Sequence, residues 1–478
     1  VTGDVPAERA DAIGTDPDDD IDLAAVSMAW SGGGSRASMF GLGAIEALVD
    51  TGLHRSLVSV SSVSGGSIAN GALAHRVDLV ASPPDEIVAA IDDLERRFAL
   101  DGLLLGGARA TSSYIRALIA AIALSIAALV AAMAALYLDA YVATATAVVV
   151  AFVGGVAAVV LFSRRSAVAA GAIDRVLLGD RDQRIDAPDL AGRAVHHVIC
   201  TTELQSGRAF YLTNRGTYGW LHGGATSPST IPFARALQAS AAVPGAFGPV
   251  RVSVSELGLD RRTVGADGPA SSTVVLLDGG VYSNMADEWE VGFAGRAQRW
   301  PDLAAIQPRA GSFVLIVNGS GAWRALKPID SGWFGTEIAG LTRSQGVQYD
   351  VSTSQRRRML LLRFQDRSDP LEGVFVQIDA SPFEIIDAMR RGPGARRERA
   401  EQAEQALTVA GHSRESWDRI VDSNAAVATT LAPLGADVAR RLRLHGRVLA
   451  LVQLFVVHGI GDLRALPPAS RVPAGTSR

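Results

Sequence analysis

Short apolar runs and glycine turns alternate along the first part of the chain. Ala24-Ala25-Val26-Ser27-Met28-Ala29-Trp30 is nearly all apolar and stops at Ser31-Gly32-Gly33-Gly34, which suits a buried strand. Met39, Leu42, Ile45 and Leu48 then recur at helical spacing, and Gly52 supplies the stop that a helix C-terminus favours. Residues 57–63 read as a second strand, Ser64-Gly65-Gly66 as a turn, and Ser67 to Arg76 as another helix. Strand, glycine turn and helix, twice over, predict an α/β fold with a mostly parallel sheet.

That rhythm then breaks. Residues 117–138 are 22 apolar or small residues with a single serine, Asp139 interrupts, and 141–162 form a second such stretch. A bilayer core of about 30 Å takes ~20 helical residues, so each stretch is long enough to span. Two spans return the chain to its starting side. Arg109 and Arg116 precede the pair and Arg164 and Arg165 follow it, so the positive-inside rule places both ends in the cytoplasm and Asp139 at the far tip. Tyr114, Tyr137 and Tyr141 lie where interfacial aromatics are favoured, and Gly154 and Gly155 permit close helix packing. The expectation is a multi-pass protein of the cell membrane with its remaining mass on the cytoplasmic side. The competing expectation is a hairpin buried in a large soluble core. Against it, neither stretch carries the polar face that a soluble helix usually shows.

Beyond Arg165 the α/β rhythm resumes. Strands are predicted at 195–201, 210–212, 274–277, 312–317, 359–364 and 374–378, and helices at 383–391, 396–410 and 436–457. Residues 1–22, with Asp4, Glu8, Asp11, Asp16 and Asp18-Asp19-Asp20, lack the basic start and apolar core of a signal peptide and read as a disordered acidic tail. The domain division is then an α/β domain in two parts, 23–115 and 164–395, a transmembrane hairpin inserted at 116–163, and a C-terminal helical extension at 396–478.

Composition adds exclusions. The formal net charge is −4, which argues against nucleic acid as a partner. Positive charge is almost entirely arginine, with Lys327 the only lysine, so arginine alone marks no phosphate site here. The single cysteine, Cys200, rules out an intramolecular disulfide and ends an apolar run, as a buried strand-end thiol would. The histidines (His54, His75, His196, His197, His222, His412, His445 and His458) are scattered and lack metal-ligand spacing, so neither a metal nor a cofactor is expected. No pattern specifies an oligomeric state.

Three constellations carry chemistry. Ser62-Val63-Ser64-Gly65-Gly66 places a serine on a sharp strand-to-helix turn with small residues two before and two after it, the requirement of a nucleophile elbow. The alternatives are a plain turn and Ser67, which is better placed to cap the helix. Ser31-Gly32-Gly33-Gly34-Ser35-Arg36-Ala37 exposes backbone N–H groups at another strand-to-helix turn, which suits an oxyanion hole. Its glycine spacing also fits a dinucleotide fingerprint, but Ser61 to Ser64 stand where that fingerprint wants an acid. The Gly-Lys-Ser/Thr of a phosphate loop is absent. Asp278-Gly279-Gly280 sets an acid at the end of an apolar strand, where partial burial raises its pKa, although Asp-Gly is also a common turn.

The glycine loop, the elbow and Asp-Gly-Gly, in that order, resemble the patatin-like phospholipases. So do Thr201-Thr202-Glu203-Leu204-Gln205-Ser206-Gly207-Arg208 and Ala239-Ser240-Ala241-Ala242-Val243-Pro244-Gly245-Ala246-Phe247-Gly248-Pro249-Val250. The resemblance runs from Ala24 to about Tyr282, leaving out the apolar insertion. It implies a patatin-like three-layer sandwich and a Ser–Asp dyad acting on lipid acyl esters, with no histidine in the catalytic pair. By position, Ser64 is the implied nucleophile and Asp278 the implied base. Gly32, Gly33 and Gly34 are the implied oxyanion loop, with Arg36 beside it, and membrane lipid is the implied substrate. Two positions depart from the family pattern: Ser62 stands where the elbow usually has glycine, and Ala37 where the loop often has one. The other expectations kept open are a non-catalytic lipid-binding or scaffolding protein of the same fold and an esterase of small substrates.

Overall fold

The computed structural model describes residues 22–102, 109–179, 183–226, 229–259, 271–320, 332–366, 369, 371–392, 394–471 and 473. Residues 1–21 of the expected acidic tail lie outside them. The strands are β1 (Val26–Trp30), β2 (Leu57–Val63), β3 (His196–Glu203), β4 (Arg208–Thr213), β5 (Gly216–Gly219), β6 (Gly223–Ala225), β7 (Val250–Ser253), β8 (Thr273–Asp278), β9 (Phe313–Asn318) and β10 (Glu372–Gln377). They form one sheet in the order β10-β9-β1-β2-β3-β4-β5-β6, with β8 pairing β3 and β7 pairing β8. From β10 to β3 every pairing is parallel. Outward from β3 every pairing is antiparallel.

Among the parallel strands, β9 and most of β1 are near-continuous apolar runs, as strands covered on both faces tend to be. Phe313, Leu315 and Val317 of β9 enter the main core, while Val314 and Ile316 enter a second cluster on the opposite face. On the main face lie α1 (Gly34–Asp50), α2 (Gly65–Arg76) and α3 (Pro84–Leu100). The order helix layer, sheet, helix layer matches the α/β expectation. β2 alone is serine-rich, and its serines are buried. Ser59 bonds Ser27 and Glu290, and Ser61 donates to the Ala286 carbonyl at 2.8 Å. These small hydroxyls let the segment after β8 lie tightly over the sheet without leaving buried polar groups unpaired.

The apolar insertion forms α4 (Arg109–Tyr137) and α5 (Tyr141–Ser163), packed on each other as a hairpin. Ser125 donates to the Ala151 carbonyl at 2.8 Å, and a Cβ on Gly154 would sit 3.2 Å from the Ser125 nitrogen, so the backbones approach closely there. Large apolar side chains, among them Met133, Val142, Phe152 and Val159, are exposed along both helices. Both helices are long and apolar enough to cross a membrane. The exposure differs from that of a hairpin buried in a soluble core. α6 (Arg165–Ile173) then leads back to the sheet and packs on α7 (Phe233–Ser240).

Residues 359–364, expected as a strand, are instead the end of α8 (Gly332–Arg363) and the turn after it. Gln355-Arg356-Arg357-Arg358 runs into them with no breaker, and only Leu360 is fully buried while Met359 and Leu362 are exposed. That is the one-sided burial of a helix rather than strand alternation. The chain closes with α9 (Pro382–Arg390), α10 (Ala395–Val409), α11 (Arg414–Ala425) and α12 (Ala436–His458). Part of segment 396–478 belongs to the main core: Leu442, Val448, Leu449 and Leu451 of α12 pack there with Met39, Phe40 and Leu42 of α1. Arg443 and Arg447 tie α12 to Glu46 and Asp50 of α1.

Candidate active site

The strand pattern around β3 places the two expected chemical groups side by side. β2 runs parallel to β3, and its last residue, Val63, pairs with Cys200. β8 runs antiparallel to β3, and its last residue, Asp278, pairs with the next one, Thr201. Residues 198–203 of β3 pair with β4 along the other edge, so β2 and β8 share one edge and meet head to head. Ser64 follows one strand end and Asp278 occupies the other. Thr202 fixes the junction: its hydroxyl donates to the Asp278 carbonyl at 2.9 Å and accepts from the Tyr282 N–H at 3.1 Å.

Ser64 has φ 52° and ψ −120°, a backbone conformation that a residue with a side chain rarely adopts. The turn is held from beneath. Ser240, at the end of α7, accepts the Ser64 N–H at 3.0 Å and donates to the Cys200 carbonyl at 2.6 Å. Ser67 bonds both Ser240 and Ser62, Asn70 donates to Ser62 at 2.9 Å, and His197 Nδ1 meets Asn70 Oδ1 at 2.7 Å. Burial pushes His197 down to about 3, so this imidazole stays neutral and its Nδ1–H donates. Ser62, the residue in place of the usual elbow glycine, is fully buried and spends its hydroxyl inside this network, donating to the Val198 carbonyl. Gly65 starts α2, and a Cβ there would collide with the carbonyl of Gly34, so elbow and glycine loop are in direct contact. Ser38 joins them, donating to the Gly34 and Gly65 carbonyls. The N-terminal turn of α2 aims its partial positive charge at the Ser64 region.

Asp278 is 5% exposed. One carboxylate oxygen accepts the Gly280 N–H at 2.7 Å, while the other, Oδ2, is buried without a hydrogen-bond partner. Burial pushes this carboxyl up from 3.8 to about 6. The Gly280 N–H and the Ser64 hydroxyl pull against that rise, so Ser64 lies within the carboxyl's field although no short bond to Oδ2 is formed.

In the glycine loop, Gly33 has φ 130° and Gly34 φ 64°, both needing glycine. Their N–H groups have no partner among the described residues, whereas the Gly32 N–H donates to the Asn284 carbonyl at 3.0 Å. Gly32 touches the Ser64 Cβ region, since a Cβ there would sit 3.1 Å from it. Arg36 turns away from the elbow and clamps the loop instead. Its guanidinium donates to the Gly319 carbonyl at 2.9 Å, the Val427 carbonyl at 2.5 Å and the Thr429 hydroxyl. Asn284 also donates to Ser320 and to the Tyr349 hydroxyl of α8, tying that helix to the loop. Ser240, Thr202 and Asn284 are the supporting residues to which the motif reading assigned no role. Ser240 and Thr202 lie in segments already singled out by resemblance, but their contacts depend on the fold.

The histidines are committed elsewhere. His54 meets the Leu48 carbonyl, His75 Gln183, His196 Gln307, His412 the Pro467 carbonyl, His445 Asn424 and His458 the Gly373 carbonyl. His222 faces Glu203 at 3.8 Å. Cys200 is buried, and burial pushes its thiol up to about 12, which leaves it unreactive. Among the described residues no three His, Cys, Asp or Glu side chains form a metal-binding group.

Comparison with known proteins bears on the same segments. No curated protein sequence matches the chain. Among solved structures, human GIVD cytosolic phospholipase A2 is 12% identical, with a TM-score of 0.48 over 92% of this chain and 60% of its own, so the chain spans about three fifths of that protein's length. The same human protein in complex with methyl gamma-linolenyl fluorophosphonate gives 13% identity and a TM-score of 0.41, covering 92% and 58%. VipD from Legionella pneumophila gives 13% and 0.27, covering 94% and 91%. The model of one family, described as patatin-like phospholipase, matches residues 28–286, a span that holds the glycine loop, the elbow and the Asp-Gly-Gly turn and exceeds half of the chain; the protein therefore belongs to the patatin-like phospholipase family.

Proposed function

We propose that this protein is a membrane-anchored lipid acyl hydrolase that works through a Ser64–Asp278 dyad. Family membership supports hydrolysis of lipid acyl esters. The observation that carries the finer reading is the strained Ser64 beside a buried carboxyl with one oxygen left without a partner. Ser64 Oγ attacks the ester carbonyl and its proton passes to Asp278. The carbonyl oxygen takes up the negative charge near the Gly33 and Gly34 N–H groups and the α2 N-terminus. Collapse breaks the bond to the alcohol oxygen, which takes the proton from Asp278 and leaves an acyl-Ser64. Water then attacks, giving one proton to Asp278. The acyl–oxygen bond to Ser64 breaks, Ser64 recovers the proton, and the fatty acid departs.

The exposed apolar hairpin α4–α5 anchors the catalytic domain on the cytoplasmic face of the cell membrane in this reading, which raises the local concentration of lipid substrate. A fluorophosphonate probe tests the nucleophile: the wild type is expected to label and Ser64→Ala not to label. Retained ester hydrolysis in purified Ser64→Ala protein would overturn the dyad. Alkaline washing of membranes tests the anchor, and release of the wild type would overturn it.

A further inference from the structure

The hairpin and the catalytic acid are joined by one short loop. Asp278 donates its N–H to the Ala242 carbonyl at 3.2 Å. Val243-Pro244-Gly245-Ala246 follow at once, four exposed residues in a row, within an uncharged stretch that reaches Pro249. The far side of this loop is fastened to the start of α6, just past the foot of α5: Arg165 Nε donates to the Ala246 carbonyl at 3.1 Å and Ser166 Oγ to the Gly248 carbonyl at 3.2 Å. Arg165 also donates to the Phe162 carbonyl and lies over the Phe162 ring at 3.9 Å, so the link reaches the last turn of the apolar helix. On the other side of Asp278, Val281 ends the turn Gly279–Val281 and is exposed as well. Val243 is 42% exposed and Val281 51%.

An exposed, uncharged, apolar rim is unfavourable in water. This rim is continuous, through Arg165 and Ser166, with a hairpin end where paired arginines meet an apolar span, the usual level of lipid headgroups. Resting on the membrane-anchored reading above, we infer that residues 243–246 and Val281 form a lip that contacts the bilayer surface, so that lipid passes to Ser64 from the leaflet beside the hairpin foot. The occupant of the lip is the membrane itself, not a protein partner. The small side chains Val243, Pro244 and Ala246 can settle among headgroups and acyl chains without a large insertion. The two hydrogen bonds to the hairpin foot hold them at a fixed height relative to Asp278.

The experiment uses the full chain with Val243→Asp and Val281→Asp combined, reconstituted in vesicles of phosphatidylcholine and phosphatidylglycerol. Three quantities are read: hydrolysis of vesicle lipid, hydrolysis of soluble p-nitrophenyl butyrate, and retention after alkaline washing. Lipid hydrolysis is expected to fall tenfold or more, while the soluble ester and membrane retention stay within twofold of wild type. Unchanged lipid hydrolysis overturns the lip. If the acidic pair fails to label with fluorophosphonate, Val243→Ser with Val281→Ser decides instead: selective loss of lipid turnover supports the lip, and equal loss on both substrates overturns it. A wild type inert toward both esters would count against the hydrolase reading, and a wild type released by alkali against the anchor and the lip together.

Discussion

Replacing Asp278 by asparagine should cut activity sharply and make the folded protein more stable at neutral pH. Burial raises this carboxyl from 3.8 to about 6, so the folded state holds the proton more tightly than the unfolded chain between those values. Stability contributed by this group is therefore complete below pH 3.8 and is lost as pH rises through 6; at pH 7.5 the ionised carboxylate costs about 3 kcal/mol. Asparagine is neutral at every pH, and its oxygen can still accept the Gly280 N–H that Asp278 accepts at 2.7 Å. Its amide can donate into the space where Oδ2 now has no partner. Detergent-solubilised wild type and Asp278→Asn would be unfolded at pH 4, 6 and 7.5. The two should differ little at pH 4, and the variant should lead by up to about 3 kcal/mol at pH 7.5, where the full ionisation cost applies. Loss of the base should lower kcat/KM on a soluble ester by roughly 10² to 10⁴. If the proposed dyad holds, wild-type activity should fall about tenfold per pH unit below 6, because in it only the carboxylate accepts the Ser64 proton. A stability difference that does not change with pH would refute the reasoning, since it would mean that Asp278 is not ionised at a cost in the folded protein.

Two further changes probe the support of the elbow. Ser240→Ala removes the acceptor of the Ser64 N–H and the donor to the Cys200 carbonyl; left unpaired, such buried groups cost about 1–3 kcal/mol each. Fluorophosphonate labelling and kcat should drop about tenfold with KM little changed, as expected for a displaced nucleophile, and an unchanged labelling rate would show that β2 alone sets the turn. Thr202→Val keeps the shape but removes the hydroxyl that ties β3 to the turn after β8, so kcat should fall several-fold while thermal stability drops by about 1 kcal/mol. Full activity in that variant would assign the register to backbone pairing alone.

The sequence made some parts of this arrangement legible and hid others for identifiable reasons. β1 and β9 are short, largely apolar runs that end at glycine-containing turns, and such runs declare themselves because both sheet faces are covered. β5 and β6 are Gly216–Gly219 and Gly223–Ala225, too short and too glycine-rich to carry a period. Their glycines instead make room for aromatic rings: a Cβ on Gly219 would meet the Phe210 ring, and one on Gly224 the Trp300 ring. α8 was hidden because its buried side chain Leu360 is flanked by arginines and exposed apolar residues, which at the end of the helix mimic a strand. At the site, Ser64 and Asp278 stand out as candidates because each sits in a local turn motif. Arg36 could be placed beside the glycine loop, but the carbonyls of Gly319 and Val427 that turn it away come from distant stretches.

The same limit explains the segment around Thr202, which resemblance marks without assigning it a task. A strand that slips by one residue turns every side chain to the other face. β8 meets β2 end to end, so a slip against β3 would carry the Asp278 carboxyl away from Ser64 while leaving both turn motifs intact in sequence. Pairing of only Thr201, Thr202 and Glu203 with Asp278, Leu277 and Leu276 is a short ladder on which to hang that choice. Thr202 adds side-chain bonds on both sides of the Asp-Gly-Gly turn, to the Asp278 carbonyl and from the Tyr282 N–H, and the Asp278 N–H to the Ala242 carbonyl adds another from the α7 side. Each of these bonds is satisfied in one register only. The approach of Ser64 and Asp278 in the proposed dyad thus rests also on a neighbouring threonine and a loop carbonyl, groups that could change without altering either turn motif.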